Sequence, residues 1–249
     1  MIKVIYDGTW AGFLSMVFEV YDQKYQEVNI VPDSNYVPDI FGNDVRITTD
    51  QVKSARVWKG LKSRLSKSGR ENLYACYLSE IKGMENTLLS FIKMVFSIDG
   101  AEEAYGDSAV LKVKQISKMV YREKHRMEAF VRFQLTADDI YYAVVEPDFN
   151  VLPLILPHFK KRYADQKWLI YDKKRHHGIY YDLRDVEEVY FKDEVVHTGR
   201  MDLQEPEVSY QVLWKDYFNH VNIKERKNNK LHIQHLPKRY WKYLTEKIG

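Results

Sequence analysis

A run of cationic and aromatic side chains near the end of the chain carries the clearest chemical signal in this sequence. From Lys224 to Lys247 there are eight Lys or Arg residues and only two Glu. Ammonium and guanidinium groups neutralise phosphates, and flat aromatic rings stack on nucleic-acid bases. The residues expected to make these contacts are Lys238, Arg239, Tyr240 and Trp241. The pattern favours a nucleic-acid-binding surface, with a helix whose rings close the core as the alternative.

A second cationic segment, Lys173-Lys-Arg-His-His177, is expected at the tip of a hairpin. Lys173, Lys174 and Arg175 place three fixed positive charges on one exposed turn, which suits contact with phosphates. A merely solvated turn is the alternative. The two adjacent histidines would point to opposite faces of a strand, so they are poorly placed to chelate one metal ion.

Further cations and rings lie in the middle of the chain and are expected to complete a composite surface with these two segments. Their guanidinium, ammonium and imidazole groups would contact phosphates, and their aromatic rings would stack on unpaired or flipped bases. Packing of the same rings in the core is the alternative. The residues of this set are Arg126, Arg132, His158, Lys161, Arg162, Tyr163 and Trp168.

An acid–lysine pattern supports an alternative hypothesis, that the chain is a catalyst. Pro147-Asp148 followed by Asp165-Gln-Lys167 fits the PD…(D/E)xK arrangement of metal-dependent nucleases. In that chemistry two carboxylates hold a divalent ion and the lysine assists the activation of water. The pattern usually places its two parts on adjacent strands, whereas a helix is predicted here between them, and such short motifs also arise by chance.

Other catalytic and metal-binding patterns are weak in this sequence. His232 and His235 have the three-residue spacing of two ligands on one helix face, but no Asp, Glu or Cys stands near them to complete a site. The single cysteine, Cys76, excludes an internal disulfide and a cysteine-held metal cluster, and its apolar neighbours predict a core position. Because GxSxG and glycine-rich phosphate motifs are also missing, no cofactor is expected.

The sequence pattern predicts the secondary-structure elements that position these groups, and together they are expected to form an α+β fold. In this prediction the first half is largely helical, and the second half is an antiparallel sheet with hairpins, packed by helices. In the first half we expect strands at Ile2–Tyr6 and Val28–Val31 and a helix from Thr9 to about Tyr25. A second helix is expected from Thr49-Asp50 to about Lys67, where Ser68-Gly69 ends it, and one or two more helices over 71–97. Turn residues at 99–107 suggest two domains, 1–105 and 106–249, with one continuous domain as the alternative.

In the second half, β alternation and turn residues dominate. The pattern predicts a helix over 109–123, β structure over 126–135, strands at 140–146 and 187–191, a helix over 152–163, a hairpin of 168–172 with 178–181, and helical structure from residue 209 onward.

Charge is strongly segregated although the net charge is only +3. Residues 1–50 hold eight acids and three bases, 53–70 hold seven bases and no acid, and 182–207 hold nine acids and three bases. Such segregation predicts separate positive and negative faces. No apolar run of membrane-spanning length occurs, and the first residues pattern as a strand and not as a signal peptide, so a cytoplasmic protein without membrane association is expected.

Several motifs in order resemble one bacterial family. They are Tyr6–Leu14, His125–Phe133, Tyr141–Asp148, Asn150–Leu154, His158–Tyr163, Lys167–Asp172, Leu213–Phe218 and Pro237–Leu244. The family comprises proteins of DNA metabolism or repair without an established activity, and its core domain is also found fused to uracil-DNA-glycosylase-like domains. The resemblance implies DNA as a partner and a radical-SAM-type DNA repair or modification protein as a second partner. It implies no catalytic residue, and radical-SAM chemistry needs cysteines that this chain lacks.

The sequence therefore leads us to expect an accessory protein of DNA repair or modification that binds single-stranded or damaged DNA through the composite surface. Two other classes stay open. One is an enzyme, either the metal-dependent nuclease described above or a hydrolase of damaged bases. The other is a protein–protein adaptor whose acidic segment 182–207 docks a basic partner.

Overall fold

The computed structural model describes residues 2–38, 43–190, 236–244 and 247. The chain divides into two compact units, Met1–Tyr121 and Arg122–Gly249. The domain boundary expected near residue 105 stays a prediction. The predicted helical structure from residue 209 to 235, including His232 and His235, lies outside the described residues.

The N-terminal unit contains a three-stranded parallel sheet. Its strands are β1 (Ile2–Tyr6), β2 (Val28–Pro32) and β3 (Asp44–Arg46), in the order β2-β1-β3. Helix α1 (Trp10–Asp22) links β1 to β2 and begins at Thr9, whose hydroxyl accepts a hydrogen bond from the Gly12 N–H at 2.9 Å. The predictions of β1, α1 and β2 are confirmed. The short strand β3 was missed, because three residues carry too little alternation to be recognised.

Helices α2 (Gln51–Arg64), α3 (Lys67–Tyr77) and α4 (Met84–Ser97) complete most of this unit. The predicted helix end at Ser68-Gly69 is wrong, since α2 ends at Arg64 and Gly69 lies in the first turn of α3. A Cβ at Gly69 would lie 1.9 Å from Glu102 Oε2, so a larger residue there would have to displace that carboxylate. The same carboxylate accepts hydrogen bonds from the Ser66 N–H and hydroxyl.

Helix α5 (Ser108–Phe130) is longer than predicted. The expected β structure over 126–135 is wrong for most of its length, because the buried positions Val113, Val120 and Met127 continue one helical stripe. Only Gln134–Leu135 forms a strand, β4.

The C-terminal unit is built on a five-stranded sheet. It continues from β4 with β5 (Tyr141–Val145), β6 (Trp168–Asp172), β7 (His177–Tyr181) and β8 (Val186–Tyr190), in that spatial order. All neighbours are antiparallel except β5 and β6, which are parallel and are joined by α6 (Leu152–Arg162). The predicted α+β class, the hairpins and α6 are confirmed. The parallel pair was not predicted, although a helix between two strands is what a parallel crossover requires.

Buried side chains of α6, including Ile155 and Phe159, face the sheet, and the Phe159 ring lies 6.2 Å from that of Trp168. Because β5 and β6 run in the same direction, their carboxyl ends meet at one edge of the sheet. Among the described residues, no helix combines the length and apolar character needed to cross a bilayer.

Candidate nucleic-acid interface

A buried carboxylate shapes the basic turn that follows β6. Asp172 is completely buried, and its Oδ1 accepts hydrogen bonds from the backbone N–H of Lys174 at 2.9 Å and of Arg175 at 3.3 Å. Its Oδ2 accepts from Arg175 Nη1 at 2.8 Å. His176 closes the turn with a left-handed φ of 55°. The cations of the predicted hairpin tip are therefore presented on a fixed backbone.

The segment after β5 receives cations from this turn and from the end of the chain. The backbone carbonyl of Asp148 accepts from Lys174 Nζ at 2.9 Å and from Arg175 Nη2 at 3.1 Å. Its carboxylate pairs with Arg239 Nη2, with 2.5 Å between Nη2 and Oδ2. The strand register Val145↔Asp172 explains why Asp148 contacts the 173–175 turn, because it places the residues that follow β5 and β6 side by side.

A second buried carboxylate, that of Glu123 on α5, contacts both Asp148 and the C-terminal segment that carries Arg239. It is 2% exposed and accepts hydrogen bonds from the Asp148 N–H at 2.9 Å, Arg126 Nη1 at 3.3 Å, Arg239 Nη2 and the Tyr240 hydroxyl. Burial, and then the bond to Glu123, raises the pKa of Tyr240 well above its usual value. The phenol therefore stays neutral and donates to the carboxylate.

The end of the chain forms a 3₁₀ helix, Lys238–Tyr243, that is anchored at several points. Tyr240 is buried, and the Trp241 indole N–H donates to the Leu236 carbonyl at 3.1 Å. Lys242 Nζ at 2.5 Å and the Tyr243 hydroxyl at 2.6 Å both reach Glu146 Oε2. Hydrogen bonds from Lys242 and then Tyr243 lower the pKa of Glu146.

These contacts join segments that are far apart in sequence into one surface, which we call the Asp148 edge. It holds seven Lys or Arg and four carboxylates, an excess of three positive charges. Its cations are Arg126, Lys173, Lys174, Arg175, Lys238, Arg239 and Lys242, and its carboxylates are Glu123, Glu146, Asp148 and Asp172.

The comparison with known families bears on this surface. A family described as a domain of unknown function, DUF4130, matches residues 82–246, about two thirds of the chain. The chain belongs to the DUF4130 family. No curated protein matches the sequence significantly. The DUF4130 match includes every residue of the Asp148 edge, so this surface lies within the family's own domain.

Other predicted residues of the DUF4130 domain lie at the opposite end of the parallel strands. Lys161, Arg162 and Tyr163 end α6 and lead into the start of β6, whereas the Asp148 edge follows the ends of β5 and β6. Five-residue strands separate the two ends by about 16 Å, at about 3.3 Å per residue. The expected composite surface is therefore divided: its C-terminal and hairpin parts meet together with Arg126, which shares Glu123 with Arg239.

Two of the predicted stacking rings are unavailable. Trp168 is 0% exposed and packs against Phe159 and Tyr181, and Tyr240 is buried on Glu123. The prediction that these two rings stack on bases is wrong, because both belong to the interior. Tyr163 is half-buried, with its ring 5.3 Å from that of Phe133.

Two remaining members of the predicted set lie on α6 and after α5. His158 is half-buried on α6, with its ring edge-on to Phe159 at 5.1 Å. Arg132 follows α5, and its Nη1 donates to the carbonyls of Ala129 at 3.0 Å and Val131 at 3.3 Å. The roles of His158 and Arg132 in binding stay predictions.

The nuclease arrangement is contradicted by the strand register. Asp148 follows the end of β5, whereas Asp165 and Lys167 precede the start of β6, and β5 and β6 pair in parallel from Tyr141↔Trp168 to Val145↔Asp172. The two carboxylates therefore lie at opposite ends of the sheet and cannot share one metal ion. Throughout the described part of the chain, no group of three or more His, Cys, Asp or Glu side chains is placed to hold a metal.

Sequence reasoning named Asp148 only as a nuclease candidate, and it missed Glu123, Glu146, Asp172 and Lys242. Glu123 offered a signal, because it interrupts the buried stripe of α5 between Val120 and Met127. An acid at such a position is rarely buried unless it is paired. Glu146 and Asp172 offered no comparable signal, since strand ends commonly carry acids.

Proposed function

We propose that the Asp148 edge binds the phosphate backbone of DNA and that the chain acts as an accessory protein in DNA repair or modification. The observation that carries the proposal is the meeting of cations from the 173–175 turn and from the C-terminal 3₁₀ helix at Asp148. Cations drawn from distant parts of a chain to one edge, in excess over carboxylates, give the local positive field that attracts a polyanion.

The ion pair between Arg239 and Asp148 is compatible with binding because it is accessible. The side chains of Arg239 and Asp148 are 42% and 50% exposed. A guanidinium binds phosphate and carboxylate with the same forked geometry, so a DNA phosphate can replace Asp148 on Arg239. Ion pairs exposed to this degree contribute little to stability, so the exchange costs the fold little.

Trp241 supplies an aromatic group beside these cations. Its ring is half-buried, its N–H is fixed on the Leu236 carbonyl, and Lys238 Nζ lies 5.9 Å from its centroid. A fixed and partly exposed indole can stack on an unpaired base. In this proposal Tyr240 positions Arg239 and Trp241 and does not itself touch the nucleic acid.

The resemblance to DNA metabolism proteins supports DNA as the polyanion. It also supports a radical-SAM-type protein as the partner that carries out the chemistry, while this chain holds the substrate. A hydrolase of damaged bases stays a prediction. The protein–protein adaptor also stays a prediction, since most of the acidic segment 182–207 lies outside the described residues.

A charge-reversal pair tests the location of binding. We expect Lys173→Glu with Lys238→Glu to weaken binding of a labelled single-stranded or duplex oligonucleotide, measured by fluorescence anisotropy, by about tenfold or more at low salt. Both side chains are exposed, so the fold should be kept.

The matched control is Lys161→Glu with Arg162→Glu at the other end of the sheet. It makes the same change in net charge and should reduce affinity by less than about threefold. Equal losses in both variants, or salt-insensitive binding by the wild-type chain, would contradict the proposal.

A further inference from the structure

Helix α2 of the N-terminal unit presents a row of cations that the Asp148 edge does not use. Arg56, Lys59 and Lys62 are exposed at three-residue intervals, so they follow one side of the helix. The sequence from residue 51 to 70 contains no Asp or Glu. The charge segregation seen in the sequence is therefore concentrated on one face of a helix.

The row differs from its neighbours in that no carboxylate among the described residues pairs with it. Lys53 pairs with Glu19, and Arg64 pairs with Asp99 at 3.3 Å. Within the described residues, none of the three cations in the row has a carboxylate within 4.0 Å. Like charges held together in this way repel one another, and a bound anion would relieve that repulsion.

Two of the three cations lie over aromatic rings instead. The Arg56 guanidinium is 5.6 Å from the centroid of Phe18, and Lys62 Nζ is 5.7 Å from that of Trp58. These positions keep the charged groups beside the helix surface and direct their long side chains across it.

Partly exposed aromatic rings border the row. Trp58 lies between Arg56 and Lys59 in sequence, and its ring meets that of Trp10 at 5.9 Å and 84°. Trp10 continues the group to Tyr74 at 5.3 Å and Tyr77 at 4.9 Å. All four rings are half-buried. Large rings that keep part of their surface in water, beside exposed cations, are the usual components of single-strand binding sites.

The sheet topology places this group where open parallel sheets bind ligands. Trp10 begins the helix after β1, and α2 begins after the adjacent strand β3. Strand β2 pairs with one side of β1, and the next strand in the chain, β3, pairs with the other side. The direction in which strands are added to the sheet therefore reverses between β1 and β3. The crevice at the carboxyl ends of such strands is the common ligand position in α/β sheets.

Helix α2 is packed tightly against the core of its unit. Val57 and Leu61 are buried, and Gly60 packs so closely that an added Cβ would lie 3.1 Å from the Phe96 ring. The cations and Trp58 therefore stand on a rigid support, which reduces the entropy lost when a ligand binds.

We infer that α2 is a second nucleic-acid contact, at which a single strand places its phosphates along Arg56, Lys59 and Lys62 and stacks a base against the Trp58 group. This contact uses no residue of the Asp148 edge. An acidic peptide would use the cations and leave the rings unengaged. A membrane surface would require exposed apolar residues, of which α2 offers only Val52.

Tryptophan fluorescence provides the test, because stacking of a base on a partly exposed indole quenches its emission. The probe is an unlabelled oligothymidine titrated at low salt into the full chain carrying Trp241→Phe, so that the indole assigned to the Asp148 edge does not contribute to the signal. We expect quenching that is largely lost in Trp58→Phe, and Arg56→Glu with Lys59→Glu and Lys62→Glu should weaken binding by about tenfold or more. The triple change to Gln serves as a second variant if the Glu variant unfolds.

The charge-matched control reverses Lys82, Lys112 and Lys118, three exposed lysines of the same unit. Affinity within about threefold of the wild-type value is expected there. Equal loss in the control, quenching that survives in Trp58→Phe, or equal displacement of the oligonucleotide by polyglutamate or anionic vesicles would overturn the inference.

The Asp148-edge variant with Lys173→Glu and Lys238→Glu separates this inference from the proposed function. It should keep the quenching that depends on Trp58. If the α2 triple variant binds like the wild type while the edge variant does not, the α2 inference fails and the proposed function stands. The reverse result rejects the proposed function and supports binding at α2.

Discussion

The Asp148 edge and the α2 row are both cationic, but they hold their charges by different means. At the edge, several cations are held by carboxylates: Arg239 lies between Glu123 and Asp148, and Lys242 contacts Glu146. On α2, Arg56 and Lys62 lie over aromatic rings, and no described carboxylate pairs with Arg56, Lys59 or Lys62. The edge cations therefore contribute to the fold as well as to binding, whereas those of α2 repel one another when no ligand is bound. Mutations should affect stability in opposite directions at the two sites.

The largest effect is expected at Glu123, which supports the edge from the interior. Glu123→Ala removes the carboxylate that accepts hydrogen bonds from Arg126, Arg239 and the buried Tyr240 hydroxyl. Removing one partner from a buried charged network costs about 3–5 kcal/mol in the free energy of unfolding. Urea denaturation measures the loss. Glu187→Ala, at an exposed site on β8, should cost less than about 0.5 kcal/mol.

A smaller loss is expected from Arg239→Ala. Its guanidinium pairs with Glu123 and Asp148 but is partly exposed, so solvent screens the interaction, and we expect a cost of about 1–2 kcal/mol. Hydrogen exchange should show reduced protection of the backbone of residues 236–244. Unchanged protection there would mean that Arg239 does not help to hold the 3₁₀ helix.

The docking of the 3₁₀ helix should depend on pH through Glu146. Because Lys242 and Tyr243 lower the pKa of Glu146, its contribution to stability is present above the unfolded-state value of 4.5 and is lost as the pH falls through the lower folded-state pKa. The side chain is partly exposed, so the contribution is about 0.5 kcal/mol. The difference in unfolding free energy between wild type and Glu146→Gln should therefore shrink below pH 4.5. A difference that is constant from pH 3 to 7 would contradict this.

The smallest effect has the opposite sign. Lys59→Glu places an acid three residues from both Arg56 and Lys62, so it replaces repulsion with attraction and should raise stability by about 0.3 kcal/mol while weakening nucleic-acid binding. Thermal unfolding and the oligonucleotide titration measure the two quantities. Lys112→Glu on α5 is the control for a single charge reversal. A loss of stability in Lys59→Glu would show that the row is not under repulsion.

Local patterns made much of the fold predictable. Alternation and turn residues identified the β6–β7 hairpin, and the Thr9 cap with its apolar spacing identified α1. The parallel pairing of β5 with β6 could not be read in the same way, because strand direction depends on a long-range crossover. The end of α5 was misplaced because the stretch Phe130-Val-Arg-Phe133 was interpreted as β alternation, whereas the helix in fact continues to Phe130. The burial of Met127 that favours the helix depends on tertiary packing.

The site was predictable only in its cations. Runs such as Lys173–Arg175 are visible in the sequence, and the structure does bring that turn to Arg239. The carboxylates that organise them were not visible, because the pairing of Glu123 with Tyr240 joins residues 117 positions apart. Trp168 was assigned to binding because its ring type suits both stacking and core packing, and only its neighbours Phe159 and Tyr181 distinguish the two.

The salt dependence of DNA binding tests the central claim most directly. The slope of log affinity against log salt concentration should fall in magnitude by about 2 in the variant with Lys173→Glu and Lys238→Glu, since each lost phosphate contact removes about 0.9. In the variant with Lys161→Glu and Arg162→Glu the slope should match that of the wild-type chain. Equal slopes in the wild type and the edge variant would contradict phosphate binding at the Asp148 edge.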